Sequence, residues 1–278
     1  MSNRTRSVIL AAGVGSRLRP YTDAVPKPLV EVNGTPMLHN ALHQLSELGI
    51  CEATIVVGYR KEAIEQSCGQ RFAGVEIEYV HNPIFDRTGS AYSLWLARNT
   101  MLAGDTVFLE GDVFFEREVL ERTLRTVSAT KKNVAAVAVF TEAMSGSAVE
   151  LAADHCVSTF VMNQTPAQAQ ARGLFKTINL THFGAAALHD RLVPALHRAA
   201  KSGHLTAYVE QILALLVENR EVQLSAADCS DTRWFEIDSE VDLRLAEEIF
   251  ALPPTRAFAS GAEDAPGKQE HGDDRLPA

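Results

Sequence analysis

The sequence predicts an α/β protein: a mixed, mostly parallel sheet with helices on both faces and a small β-rich cap. Three observations predict it. Short apolar runs alternate with amphipathic stretches through the first half of the chain, the order that builds a parallel sheet from crossover connections. A loop rich in glycine and proline follows the first apolar run directly. After Thr141 the rhythm changes to closely spaced extended segments, and then to helices.

Taken in order, Ser7–Ala11 (SVILA) reads as a buried strand, and the loop after it runs to Pro28. Leu29–Val32 reads as a short extended piece, with Asn33-Gly34 as a turn. Met37, Leu38, Ala41, Leu42, Leu45 and Leu48 recur at three- and four-residue spacing, which predicts a helix ending at Gly49. Ala53–Val57 predicts a strand, Lys61–Cys68 a helix and Val75–Val80 a strand. Ser90–Arg98 predicts a helix, Thr106–Leu109 a strand, Glu116–Val127 a helix and Asn133–Phe140 a strand. Val149–Ala152 and Cys156–Met162 predict a hairpin. Leu188–Ala200 and Thr206–Val217 read as helical, Val222–Leu224 and Arg233–Ile237 as extended, and Glu240–Phe250 as the last helix. The expected organisation is one domain over 1–250, with the cap inserted at about 141–182. From Leu252 the chain is rich in proline, glycine, alanine and charge without an apolar period, so 251–278 is expected to be a disordered tail.

Composition excludes several classes. The chain has 278 residues, 46% hydrophobic and 22% charged, and a core of that size needs neither disulfides nor a structural metal. Its apolar runs, such as Asn133–Phe140 and Ile212–Val217, are too short to span a bilayer. Only Val8–Ala12 follow the basic start Met1–Arg6 before Gly13, shorter than a secretory core. The four cysteines, Cys51, Cys68, Cys156 and Cys229, form no CxxC pair and read as free thiols in a reducing cytoplasm. A net charge of −9 argues against nucleic acid or an anionic membrane as partner. That total conceals a local excess. Residues 1–30 hold Arg4, Arg6, Arg17, Arg19 and Lys27 against Asp23, a net of +4, which leaves −13 for the rest.

The chemistry is concentrated where that positive charge lies. In Leu10-Ala11-Ala12-Gly13-Val14-Gly15-Ser16-Arg17-Leu18-Arg19-Pro20, Gly13 and Gly15 stand just after a strand. Glycines there let backbone N–H groups turn inward around phosphate oxygens. Arg17 adds a planar donor fork and Lys27 a point charge. Leu18 occupies the place of a dinucleotide fingerprint's third glycine, and no Gly-Lys-Ser/Thr follows, so the loop is neither a Rossmann fingerprint nor a P-loop. The nine histidines are scattered, and no Ser/His/Asp or Cys/His constellation is evident.

LAAGxGSRLxPxT followed by PKPLVEVNGTPML resembles the signature of the nucleotidyltransferases that make nucleoside-diphosphate sugars and CDP-alcohols. Glu110-Gly111-Asp112 after a strand and Trp234-Phe235-Glu236-Ile237-Asp238 before the last helix resemble that family's two metal-binding segments. Thr88-Gly89-Ser90-Ala91-Tyr92-Ser93-Leu94 departs from the Gly-Thr-Ala form of many sugar enzymes. With Lys176-Thr177-Ile178-Asn179 and Ala207-Tyr208-Val209-Glu210, it is similar to the branch that activates choline phosphate or phosphonates with CTP. The resemblance extends over about residues 6–250.

The resemblance implies a Rossmann-like, GT-A-like fold and a Mg²⁺-dependent transfer of CMP from CTP to a small phosphate or phosphonate, with release of pyrophosphate. The acceptor would be choline phosphate, 2-aminoethylphosphonate or a hydroxyalkylphosphonate. A sugar-1-phosphate enzyme using UTP, dTTP or GTP is the alternative, and a catalytically silent nucleotide-sensing relative a further one. The implied catalytic residues are Arg17, Lys27, Asp112 and Asp238, with Mg²⁺ on Asp112 and Asp238. Leu10, Ala11, Ala12, Gly13, Gly15, Ser16, Arg17, Lys27, Asn82, Gly89 and Ser90 would bind nucleotide. Lys176, Tyr92, Glu210, Trp234 and Glu236 would face the acceptor, with Trp95, Tyr208 and Phe235 as further aromatic candidates for a cationic head group. Homo-oligomer formation is left open.

Overall fold

The strand Arg6–Ala11 runs through the middle of a ten-stranded sheet, and every residue from Ser7 onward is buried. It pairs in parallel with Glu52–Val57 on one side and Thr106–Glu110 on the other, and Val75–His81 continues the parallel set. A strand covered on both faces needs no polar alternation, which is why SVILA and ATIVV are continuous apolar runs. Successive residues still point to opposite faces. Val8 and Leu10 enter one core with the helices Ser90–Leu96, Val193–Lys201 and Val209–Glu218. Ile9 and Ala11 enter the other, with Met37–Glu47, Lys61–Cys68 and Arg117–Thr130. The structure, a computed structural model, describes residues 5–251. The expected tail lies outside the described residues from 252 on.

Most expected elements are present with ends moved by a few residues. The helix expected over Ser90–Arg98 is interrupted at Ala97, giving Ser90–Leu96 and Arg98–Leu102. The helical stretch before Lys201 widens into a π-type turn at Leu188–Leu192, just ahead of Pro194, whose missing N–H breaks the regular ladder. A helix at Pro166–Arg172 had no expectation. Thr165 and Gln168 form its capping box, Pro166 is its first residue and Gly173 closes it at φ 64°.

The segment 141–182, expected as the β-rich cap, is joined to the main sheet. Its hairpin, Gly146–Leu151 with Val157–Gln164, lengthens the sheet at one edge. Its longest strand, Phe175–Phe183, lies inside the sheet, antiparallel to both Thr106–Glu110 and Asn133–Val139. That strand is irregular. Register shifts between Thr177 and Thr181, and Asn179 sits at φ 56°. Such an interruption re-aims a side chain, here Asn179 toward the cleft above the sheet.

A second, smaller ladder positions the site. Trp234–Glu236 pairs antiparallel with Val113–Phe115, Glu236 opposite Val113, and the Ile237 N–H donates to the Asp112 carbonyl at 2.9 Å. Asp112 and Asp238, far apart in sequence, are thereby set side by side at one end of the parallel strands. No helix among the described residues is long and apolar enough to cross a membrane.

Candidate active site

A cleft of about 470 Å³ opens at the C-terminal ends of Arg6–Ala11 and Thr106–Glu110, where open α/β sheets bind ligands. Its floor and near wall are Leu10, Ala11, Ala12, Gly13, Gly15, Ser16 and Arg17. Gly15 is required by its geometry. It has φ 66°, and a Cβ there would lie 2.7 Å from the Lys27 Cβ. The lysine stem therefore runs against the glycine backbone, and Thr22 fixes the turn by donating to the Gly15 carbonyl at 2.9 Å. A Cβ at Gly13 would meet nothing within 4 Å, so the space above it is open to the cleft.

Lys27 is the centre of the charge pattern. Its Nζ donates to Asp112 Oδ2 and to Asp238 Oδ1, each at 2.7 Å, and Arg17 Nη2 reaches the same Asp238 oxygen at 2.9 Å. Asp238 also begins the turn into the last helix, its N–H donating to Asp242 Oδ2 at 3.1 Å. Behind this group Lys176 is buried, and its Nζ pairs with Glu236 Oε2 at 2.7 Å. Asn179 Nδ2 donates to the other oxygen, Glu236 Oε1, at 2.8 Å. Gly89, Ser90, Glu110, Glu210 and Tyr208 complete the far side of the cleft.

The family model described as nucleotidyl transferase matches residues 6–148, the stretch that carries the glycine loop, Lys27 and Asp112. The chain belongs to the nucleotidyl transferase family. A CMP-5'-(3-aminopropyl)phosphonate synthase of Streptomyces rubellomurinus is 36% identical over 253 residues, 89% of this chain and 39% of that protein. A UTP–glucose-1-phosphate uridylyltransferase of Haloferax volcanii is 38% identical over 109 residues, 37% of this chain and 44% of its own length. The chain thus spans about two fifths of the length of these curated relatives. Among solved structures, a CTP:phosphocholine cytidylyltransferase from Streptococcus pneumoniae has the same fold. It superposes with a TM-score of 0.71 at 22% identity, over 88% of this chain and 99% of that one.

Six of the expected contact residues of this nucleotidyl transferase, Asn82, Tyr92, Trp95, Lys176, Trp234 and Phe235, do not line the main cleft. Asn82 is fully buried and its amide is already used. Nδ2 donates to Thr88 Oγ1 at 2.9 Å and Ser93 Oγ at 3.1 Å, and Oδ1 accepts the Ile84 N–H at 3.1 Å. It shapes the loop that carries Thr88 rather than presenting its amide to the cleft. Tyr92 packs on Trp95, with ring centroids 5.4 Å apart, and Trp95 lies in turn under Arg98. Trp234 is 5% exposed, within the core that includes Phe115, and Phe235 is buried in a separate cluster with Phe114. Lys176 reaches the cleft only through Glu236. Of the five aromatic candidates, Tyr208 alone lines the cleft, with Phe85 as an unexpected neighbour. Trp234→Ala should therefore cost roughly 3–5 kcal/mol of stability while the acceptor KM is unchanged. Urea denaturation beside steady-state kinetics tests this, and a raised KM at unchanged stability contradicts it.

Gly89 and Ser90 do line the cleft, and they also join its two walls. The Gly89 N–H donates to the Leu205 carbonyl at 2.8 Å, and a Cβ there would collide with the Ala207 carbonyl oxygen. Ser90 Oγ accepts the Val209 N–H at 3.0 Å, satisfying an open donor at the start of the helix that carries Glu210. Sequence reasoning passed over Glu110 and Asn179. Glu110 had a readable signal, since it is the last residue of a strand beside Asp112. Asn179 stood in the quoted segment Lys176-Thr177-Ile178-Asn179, but only asparagine's tolerance of left-handed backbone hinted that it turns toward the cleft.

The electrostatics separate the carboxylates into two sets. Burial raises the Asp238 pKa, but Lys27 and then Arg17 outweigh it and hold the group below the ordinary aspartate range. Burial likewise opposes the Lys27 ammonium, yet Asp112 and Asp238 more than offset it and raise the pKa. Glu110 is pushed well above the carboxylate range by burial, with Glu210, Asp112 and Glu236 adding repulsion. Burial raises Glu210 too, and raises Glu236 against the pull of Lys176. Carboxyl groups with raised native pKa take up protons on folding. Their effect is least favourable above that pKa, eases as pH falls through it, and levels off below the unfolded value near 4.5. Asp238 acts only below about 4 and Lys27 only above about 10. In EDTA the Tm of the wild type should therefore gain on that of Glu110→Gln as pH is lowered from neutral toward about 5, a comparison that cancels the opposing effect of His39 and His182, whose pKa values burial lowers. A wild type that loses ground to Glu110→Gln over this window contradicts the assignment.

The residues suit a divalent cation. Carboxylate oxygens of Glu110, Asp112 and Glu236 lie within 4.8 Å of one another, and Asp112 Oδ1 is buried without a hydrogen-bond partner. A hard oxygen donor set of this kind fits Mg²⁺.

Proposed function

We propose that this nucleotidyl transferase is a cytidylyltransferase. It joins CMP from CTP to a small phosphonate or phosphate that carries a primary ammonium group, and it releases pyrophosphate. The observation that carries the reaction class is Lys27, whose ammonium stands between the glycine loop and the paired aspartates. The choice of CTP and a phosphonate is supported by the relative aligned along 89% of the chain. The sugar-phosphate relative aligns with 37% of the chain.

The acceptor's anionic oxygen attacks the α-phosphorus, and the bond from that phosphorus to the β-bridging oxygen breaks in line. That oxygen is already ionised at neutral pH, so no proton has to be removed, in keeping with a cleft that no histidine lines. The main obstacle is repulsion between two anions, and catalysis is positioning with charge neutralisation. Backbone N–H groups from Gly13 to Arg17 hold the β- and γ-phosphates, with the Arg17 guanidinium stabilising the departing pyrophosphate. Lys27 serves the α-phosphate and the incoming oxygen. Asp112 and Asp238 would hold Mg²⁺, with Glu236 and Glu110 beside them. When bound, the ion supplies further neutralisation of the phosphate charge.

The head group follows from the far wall. Glu210 is buried at the cleft surface and forms no ion pair among the described residues. A primary ammonium donates hydrogen bonds to a carboxylate, whereas a quaternary one needs an aromatic cage. Tyr92, Trp95, Trp234 and Phe235 are all committed elsewhere, and the two rings at the cleft, Tyr208 and Phe85, are too few for a cage. Glu210→Gln should raise the acceptor KM by about tenfold or more, the size of one charge-assisted hydrogen bond, with the CTP KM unchanged. Equal effects on both constants contradict this role. Phosphorus NMR of CTP mixed with 3-aminopropylphosphonate tests the reaction itself. The expected products are a phosphonate–phosphate anhydride and free pyrophosphate; unchanged CTP counts against it.

A further inference from the structure

Lys27 holds a position for which a divalent cation would compete. Its Nζ is 2.7 Å from one oxygen of Asp112 and 2.7 Å from one oxygen of Asp238. Arg17 adds a second positive contact to that Asp238 oxygen at 2.9 Å. Its neighbours confine the lysine, whose side chain is 11% exposed. A metal shared by Asp112 and Asp238 needs those carboxylates, and two cations cannot share so small a space without strong repulsion. Lys27 has somewhere to go. Its stem lies against Gly15, where a Cβ would be 2.7 Å away, so phosphates cradled by the glycine loop are within a side-chain rotation of its ammonium.

We propose that Lys27 is an internal counter-cation that excludes free metal from Asp112 and Asp238. The metal binds tightly only when a triphosphate draws Lys27, with Arg17, onto its own oxygens. The inference rests on the metal assignment made under the proposed function. Its consequence is obligatory coupling. Nucleotide raises metal affinity by the same factor as metal raises nucleotide affinity, so metal and CTP load together. The lysine then has two roles, neutralising the carboxylates before loading and the phosphates afterwards.

Mn²⁺ serves as the probe, with free ion counted by electron paramagnetic resonance in the absence of nucleotide. Wild-type protein should bind it weakly. Lys27→Met should bind it about tenfold more tightly or better, the size of one displaced charge-assisted contact. Adding Asp112→Asn to that variant should abolish the gain. Thermal melting gives an independent readout. Mn²⁺ alone should raise the Tm of Lys27→Met and leave that of the wild type nearly unchanged, and Lys27→Gln should repeat the pattern if the methionine variant folds poorly. Equal Mn²⁺ affinity in wild type and both Lys27 variants overturns the proposal, and places the metal on Glu110, Asp112 and Glu236 without movement of Lys27. Failure of the metal assignment itself is distinguishable, because Asp112→Asn would then leave Mn²⁺ binding in the presence of CTP unchanged.

Discussion

Lys27→Ala lowers the rate of pyrophosphate release by about a hundredfold or more while circular dichroism retains the native helix signal. The magnitude follows from removing one preorganised charge from a site where charge neutralisation is the main catalytic device. The change is not a simple deletion. Lys27 is the common partner of Asp112 and Asp238 at 2.7 Å, and without it two carboxylates face each other across a poorly solvated gap. The loss should therefore appear in kcat as well as in the CTP KM, because Lys27 serves the ground-state triphosphate and the transition state alike. Arginine at this position should not restore activity, since a planar fork cannot follow the lysine stem past Gly15. Near-normal turnover in Lys27→Ala would remove this residue from the mechanism.

Asp112→Asn has the second large effect, again about a hundredfold or more in kcat. The substitution keeps the shape and removes the charge. Asp112 stands where the strand Thr106–Glu110 ends, and Oδ1, the oxygen not bonded to Lys27, is buried and unpartnered. An amide there can no longer attract a divalent cation, so the Mg²⁺ concentration needed for half-maximal rate should rise as kcat falls. A variant with reduced kcat but an unchanged Mg²⁺ requirement would assign Asp112 to positioning Lys27 alone. Comparing Asp112→Asn with Asp238→Asn adds resolution. Asp238 is shared by Lys27 and Arg17, so its loss should also weaken the hold of Arg17.

The parts of the fold that were legible are those in which a single physical demand governs the residues. Arg6–Ala11 and Glu52–Val57 are buried on both faces, and each reads as an unbroken apolar run. Met37–Glu47 meets one core with one face, and its leucines recur at the helical period. Phe175–Phe183 answers to several demands at once. Phe175, Ile178, Leu180 and Phe183 pack in the cores, Lys176 pairs with Glu236, and Asn179 turns toward the cleft. Its pattern, FKTINLTHF, is therefore neither alternating nor continuous, and a central strand reads as a polar motif.

The site divides in the same way. The glycine loop was legible because Gly15 is required by its left-handed backbone and by the Lys27 stem against it. The meeting of Asp112 with Asp238 depends on a ladder of three residues on each side, Val113–Phe115 with Trp234–Glu236, and nothing local announces that pairing; the family resemblance supplied it. Tyr92 and Trp234, expected at the acceptor, pack against protein instead, for a general reason. An aromatic ring near a motif offers a face to a ligand and a volume to a core, and only packing separates the two uses. Asn82 shows the polar version: its amide is spent inside the loop.

The central claim is the transfer of CMP to an ammonium-bearing phosphonate, and one panel tests it most directly. Pyrophosphate release is measured with CTP, UTP, GTP, ATP and dTTP, each against 3-aminopropylphosphonate, 2-aminoethylphosphonate, choline phosphate, hydroxyethylphosphonate and glucose-1-phosphate. Release is expected with CTP and an aminoalkylphosphonate, weaker release with choline phosphate, and little with the uncharged head groups. Release confined to glucose-1-phosphate with UTP or dTTP would contradict it.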